Sequence, residues 1–162
     1  MNGSWLRSRL GRWTERFDRI DRTVADTMER FGIPVMRVAL GIVFVWFGAL
    51  KLVGISPAAD IVARTVYFFP PETFLPVLGA WEVLIGACLL YRPLIRVGIL
   101  LLFFQMPGTF LPVVLSPDLV FTVVPYGLTV EGQYIVKNLV IIGAALAVGG
   151  TVRGDDRSRP GD

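Results

Sequence analysis

Besides Arg37 and Arg96 near the ends of their segments, three charged side chains stand inside largely apolar runs. Lys51 closes "VMRVALGIVFVWFGALKLVG", Glu82 sits within "LPVLGAWEVLIGACLLY", and Lys137 follows the start of "YIVKNLVIIGAALAVGGTV". A lone charge at the centre of a bilayer costs about 2.5–3.5 kcal/mol on insertion scales. Glu82 is therefore expected to meet an opposite charge, either Lys51 or Lys137. Gln105, within "IRVGILLLFFQMPGTFLPVVL", and Asn138, beside Lys137, add amides that both donate and accept. A carboxylate, an ammonium and an amide gathered in apolar surroundings could bind a small polar head group or relay protons. The same set could also serve only to lock helices together. The two lysines could instead snorkel to the head groups. Trp81 adjoins the glutamate and could stack on a ligand, although packing is its plainer role.

The rest of the composition narrows the chemistry. The chain has no histidine and a single cysteine, Cys88. The commonest general base and metal ligand is thus missing, and no CxxC pair exists for dithiol redox work. No metal site is expected, and no covalently bound cofactor. Cys88 reads as packing. Any enzymatic role is more in keeping with a non-catalytic subunit than with an independent oxidoreductase. The net charge of +3 does not point to nucleic acid: five acids within residues 1–32 offset the seven arginines there.

Helices long enough to cross a bilayer must position these groups. The chain is 54% hydrophobic and only 18% charged, below the roughly 25% of soluble domains. Four spans are predicted, at about 35–54, 74–91, 95–115 and 134–152, each near the roughly 20 residues that a ~30 Å hydrocarbon core requires. In the first, Arg37, Gly41, Phe44, Gly48 and Lys51 recur at steps of four and three. In the second, Leu75, Gly79, Glu82, Gly86 and Leu89 do the same. Each ionisable residue shares a helix face with glycines, and small residues let membrane helices approach closely. Gly41, Gly48, Gly79 and Gly86 are thus predicted packing positions. A start at residue 74 places Glu82 roughly 12 Å into its span, and Lys137 three residues into the fourth. Pro107 and Pro112 should kink the third span and free backbone carbonyls. Arg37 is expected to reach cytoplasmic phosphates.

Residues 1–32 form a segment of their own. Apolar residues recur at Leu6, Leu10, Trp13, Phe17, Ile20, Val24, Met28 and Phe31, with arginines alongside. This is one stripe of a helix, predicted to lie on the membrane surface, or else to pack on a cytosolic partner or pair as a coiled coil; Ile33-Pro34 then opens the first span. The transmembrane domain covers 33–152, and 153–162 reads as a disordered polar tail. Between the first two spans, Ser56-Pro57 should cap a short helix with Ile61, Val62, Thr65, Val66 and Phe69 on its apolar side, stopped by Pro70-Pro71. The loop "SPDLVFTVVPYGLTVEGQ" is expected to cap the bundle or re-enter it. The eight arginines of residues 1–37, Arg92 and Arg96, and Arg153, Arg157 and Arg159 fall on one side of four spans. That side is the cytoplasm by the positive-inside rule, so both termini are placed there and Lys51, Glu82 and Lys137 in the outer half. The fold class is accordingly all-α: a polytopic four-helix bundle with an N-terminal amphipathic helix and a short outer-loop helix.

The segments "RVALGIVFVWFGALKL", "WEVLIGACLL" and "EGQYIVKNLVIIGAAL", in that order and spacing, resemble the DoxX-like family of small bacterial membrane proteins, including its YkgB-type branch. The resemblance covers about residues 35–150. It implies a four-helix bundle in the bacterial plasma membrane, and a link to thiosulfate:quinone oxidoreduction or to oxidant-stress defence beside a redox enzyme. It assigns no catalytic residue. Three functions follow as expectations. The first is a redox-associated subunit with a quinone-like or proton-relay site. The second is a small proton-coupled transporter, which would need a homo-oligomer to build a path. The third is an anchor or scaffold for a partner protein.

Overall fold

The computed structural model of the chain describes residues 4–66 and 69–152, with side chains from residue 18 onward. The elements are α1 (Ser4–Leu52), α2 (Ala59–Thr65), α3 (Pro71–Leu90), α4 (Ile95–Leu115), α5 (Pro117–Val120), β1 (Phe121–Val123), β2 (Gly127–Leu128) and α6 (Val130–Val152). Four helical stretches, Asp18–Leu52, Pro71–Leu90, Arg92–Leu115 and Val130–Val152, are long and apolar enough to cross a membrane. The protein is an all-α, multi-pass four-helix bundle. Two compact units divide it, Met1–Val35 and Met36–Asp162.

Ile33-Pro34 opens the span without ending a helix, because α1 runs from Ser4 to Leu52 with Pro34 inside it. Proline removes one backbone donor and leaves the carbonyl four residues earlier, that of Arg30, without its helical partner. Arg30, Gly32 and Pro34 are all exposed, so that carbonyl can be solvated where it stands. In the first unit Ile20, Val24, Met28 and Phe31 are exposed, and the Arg30 guanidinium lies 5.4 Å from the Phe31 ring centroid. The side chains of Leu6, Leu10, Trp13 and Phe17, and the 153–162 tail, lie outside the described residues.

In the second unit α1 and α3 meet at two glycine pairs. A Cβ on Gly48 would stand 2.6 Å from the Gly79 carbonyl oxygen, and one on Gly79 would stand 2.7 Å from that of Gly48. One on Gly86 would lie 2.6 Å from the Gly41 carbonyl oxygen. Residue number rises on one helix as it falls on the other, so the pair is antiparallel. Both predicted stripes therefore face each other, backbone against backbone. Leu40 and Phe44 of α1 and Ile85 and Leu89 of α3 are buried. Arg37 departs from expectation. Its guanidinium donates to the Leu89 and Leu90 carbonyls at 3.2 and 3.4 Å, occupying orphan acceptors at the negative end of α3.

A single 3₁₀ turn, Arg92–Leu94, reverses the chain into α4. Gly98 lets α4 close on α3, since a Cβ there would lie 3.0 Å from the Cys88 Cβ. Cys88 is buried in that contact, a packing position as expected. Leu102 and Met106 of α4 and Ile135, Ala145 and Val148 of α6 complete the core. Pro107 and Pro112 lie within α4, which continues past both.

The loops differ in detail from expectation. Ser56 Oγ accepts the Ala58 amide at 3.2 Å and so forms a local turn, while α2 begins three residues later at Ala59. Thr65 is buried, Ile61, Val62 and Val66 are half-buried, and Phe69 lies beyond the helix, exposed. Pro71 opens α3 instead of closing α2, since proline suits the first helical position. The loop before α6 holds an antiparallel hairpin, β1 with β2, where a plain cap or re-entrant turn was expected. Thr129 ties it to α6. Its hydroxyl accepts the Gly132 amide at 2.9 Å, an N-cap bond, and donates to the Leu119 carbonyl at 2.5 Å. Thr129→Val keeps the shape and removes both bonds. It should lower stability by about 1 kcal/mol, whereas Thr129→Ser should stay near the parent in denaturant unfolding in detergent micelles.

Candidate functional site

The polar cluster grows from the way α1 ends. Gly54 has a positive φ of 77°. The Ile55 amide donates to the Leu50 carbonyl at 3.0 Å and the Gly54 amide to that of Lys51 at 3.3 Å. These two bonds are a Schellman closure, for which glycine is the favoured residue. Lys51 is thereby held in the last turn of α1, on the same face as Gly48 and Phe44. Helical side chains lean toward the N-terminus of their own helix, so the Lys51 stem turns back into the bundle. It passes over Gly79, where a Cβ would meet its own Cβ at 2.8 Å. A glycine on α3 is what leaves room for the lysine of α1.

The ammonium ends on Glu82. Nζ lies 2.6 Å from Oε2, and the two residues are only 7% and 8% exposed. Because α3 begins at Pro71, Glu82 is the twelfth of its 20 residues. It sits near mid-helix, deeper than a start at 74 implied. The other carboxylate oxygen, Oε1, accepts from Gln105 Nε2 at 2.9 Å. Three helices thus meet at one carboxylate: α1 supplies the cation, α3 the anion and α4 an amide. Each oxygen of Glu82 has a donor, and the pair is neutral overall, which is what a low-dielectric interior demands of buried charge.

The cluster is not fully satisfied. Gln105 Oε1 is buried with no hydrogen-bond partner, and an unmet buried acceptor costs about 1–3 kcal/mol. Lys51 carries three N–H donors, one of which is engaged by Glu82. The triad therefore has spare donors on Lys51 and a spare acceptor on Gln105. That equips it to hold a water or hydroxyl and to pass a proton.

The remaining predicted residues lie elsewhere. Lys137 is exposed, with its ammonium 5.3 Å from the Tyr134 ring centroid. It is the eighth residue of α6, which begins at Val130 and not at 134. The inward face of α6 carries Gly132, Ile135, Ala145 and Val148. Lys137 is two residues, about 200°, from Ile135 and so points away. Asn138 is half-buried and outside the triad. Trp81 packs on Phe104 of α4, ring centroids 5.9 Å apart and planes at 46°. Of the six polar and aromatic candidates, Glu82, Lys51 and Gln105 come together, and Lys137, Asn138 and Trp81 do not join them. No three His, Cys, Asp or Glu side chains gather as metal ligands among the described residues.

A cleft of about 140 Å³ adjoins the lysine, lined by Lys51, Ser56 and Glu72 with Leu52, Leu75 and Pro76 among its apolar walls. Neither Ser56 nor Glu72 is recognisable from the sequence as part of a site. The loop that brings them to Lys51 carries no motif. A larger depression, about 350 Å³, runs along Ile42, Trp46 and Leu50 of α1 and Val53 just beyond it. It has no charged side chain. No family model, curated protein or solved structure matches this chain.

Proposed function

We propose that this chain is a DoxX-like subunit of the bacterial plasma membrane, with both termini cytoplasmic, that works beside a redox enzyme. In this reading the Lys51–Glu82–Gln105 triad is a proton-exchange site in the bundle. The observation that carries it is the buried carboxylate held from three helices with an unmet amide oxygen beside it. Intramembrane ionisable residues of this kind mark proton or ligand pathways by default. With no histidine and one buried cysteine, the side chains supply no electrons. The electrons would come from the partner enzyme, and this chain would contribute proton transfer and position.

A quinone is the molecule such a subunit would serve. Pockets that enclose a ligand of that size measure about 300–1,000 Å³, and the cleft beside Lys51 holds about 140 Å³. The volume favours proton exchange with a quinone docked from the bilayer over a quinone resident in the cleft. The test is an infrared difference spectrum in quinone-loaded nanodiscs, poised electrochemically between oxidised and reduced quinone. Carboxyl and carboxamide bands should shift with quinone redox state and disappear in Glu82→Gln and Gln105→Leu. Identical difference spectra in the parent and both variants would remove the redox reading and leave the triad as a helix lock.

A further inference from the structure

We infer that the cleft beside Lys51 is the water path joining the buried triad to one aqueous compartment, and that Glu72 is the proton-collecting carboxylate at its mouth. The inference rests on the triad being a proton-exchange site and names how protons reach it. A buried pair that exchanges protons needs a route to water, because apolar packing carries none. Beside Glu82 on α3, Trp81 is packed against Phe104 of α4. Between α1 and α3 the two glycine contacts leave no gap. The end of α1 offers an opening, the cleft lined by Lys51, Leu52 and Gly54 together with Pro71, Glu72, Leu75 and Pro76 of α3.

The cleft there has the size and lining of a short water file. Its volume of about 140 Å³ is room for roughly four waters at about 30 Å³ each. Three polar residues line it, Lys51, Ser56 and Glu72, of which Lys51 is buried, Ser56 half-buried and Glu72 exposed. Glu72 is the acidic residue in the first turn of α3, where the helix dipole favours an anion. From α2 only Ala59 lines the space, and its Asp60 and Arg64 are exposed. Facing Glu82 itself are Lys51 from α1 and Gln105 from α4. A proton taken up by Glu72 from bulk water would pass along the file to the Lys51–Glu82 pair. Each transfer breaks one O–H or N–H bond as the next one forms, and no other atoms move.

The test reads hydrogen–deuterium exchange at the triad. Full-length protein in nanodiscs is switched from H₂O to D₂O under an infrared beam, and bands assigned by the Glu82→Gln and Gln105→Leu spectra are followed in time. Ser56→Cys is then blocked after folding by a membrane-impermeant thiol reagent. The buried Cys88 serves as the unlabelled internal control, and each sample is compared with itself before labelling. Blocking the cleft should slow exchange about tenfold or more, and Glu72→Gln should slow it by about tenfold. Unchanged rates after blocking would overturn the path. Slowing by the label but not by Glu72→Gln would overturn the role of Glu72. The two readings also fail separately. Redox-silent bands with cleft-dependent exchange would sink the quinone function alone, and redox-sensitive bands with cleft-independent exchange would sink the path alone.

Discussion

Lys51→Met is expected to destabilise the bundle by about 3 kcal/mol or more, and the double variant Lys51→Met/Glu82→Gln to recover most of that loss. The reason is the asymmetry between breaking a buried ion pair and replacing it. Lys51 and Glu82 are 7% and 8% exposed and 2.6 Å apart. Removing the ammonium leaves a carboxylate near the middle of α3 with Gln105 as its remaining partner. Replacing both charges leaves a neutral amide that still bonds Gln105, and methionine fills the path of the lysine stem over Gly79. Equilibrium unfolding in mixed micelles measures all four corners of the cycle, so the coupling of the two residues is read directly. A negligible loss in Lys51→Met alone would mean that the lysine resides at the head groups and that the pair is no lock. Lys137 provides the contrast. Its exposed ammonium over Tyr134 predicts that Lys137→Met changes stability little.

The second large effect lies in the backbone contacts that hold the triad together. Gly48→Ala, Gly79→Ala and Gly86→Ala each bring a methyl within 2.6–2.7 Å of a carbonyl oxygen on the facing helix. Backbone atoms cannot swing aside as a side-chain tip can, so the helices must part. Overpacking of this kind costs about 1–3 kcal/mol. Gly79→Ala should stand at the upper end, because its methyl also strikes the Lys51 Cβ at 2.8 Å and the Leu52 amide nitrogen at 3.2 Å. It should therefore weaken the ion pair as well as the helix contact, with the same loss of coupling to Glu82 seen in a cycle. Gly143→Ala is the control. Nothing lies within 4 Å of its Cβ position, and alanine is favoured over glycine in a helix interior by up to about 1 kcal/mol. Its expected result is unchanged or slightly raised stability. Equal losses at Gly79 and Gly143 would mean that the α1–α3 approach is not glycine-dependent.

The sequence by itself determined the number of spans and the composition of their faces. Four apolar runs near bilayer length are a property of consecutive residues. The stripes Gly41–Phe44–Gly48–Lys51 and Gly79–Glu82–Gly86 follow from the helical period, which any single helix displays without its neighbours. From these, a close helix contact along each glycine stripe and the burial of Glu82 were both legible. The period does not say which helix lies beside which. Lys51 and Lys137 are equal candidates on charge and depth, and only the packing of α6 through Ile135 and Val148 turned Lys137 outward. Local signals were also outweighed where solvation was available. Pro34 opens the span in the sequence, yet Arg30, Gly32 and Pro34 are exposed and α1 continues through it. The hairpin pairs Phe121 with Leu128 and Val123 with Gly127, and Thr129 reaches ten positions back to the Leu119 carbonyl, contacts that no short motif records. The cleft beside Lys51 is the clearest case. Ser56 and Glu72 are ordinary loop and first-turn residues in the sequence, and they become walls of one space only because the turn at Gly54 and the start of α3 fold back on the end of α1. Residue type and spacing chose the charges, and tertiary contact decided which of them meet and where water reaches them.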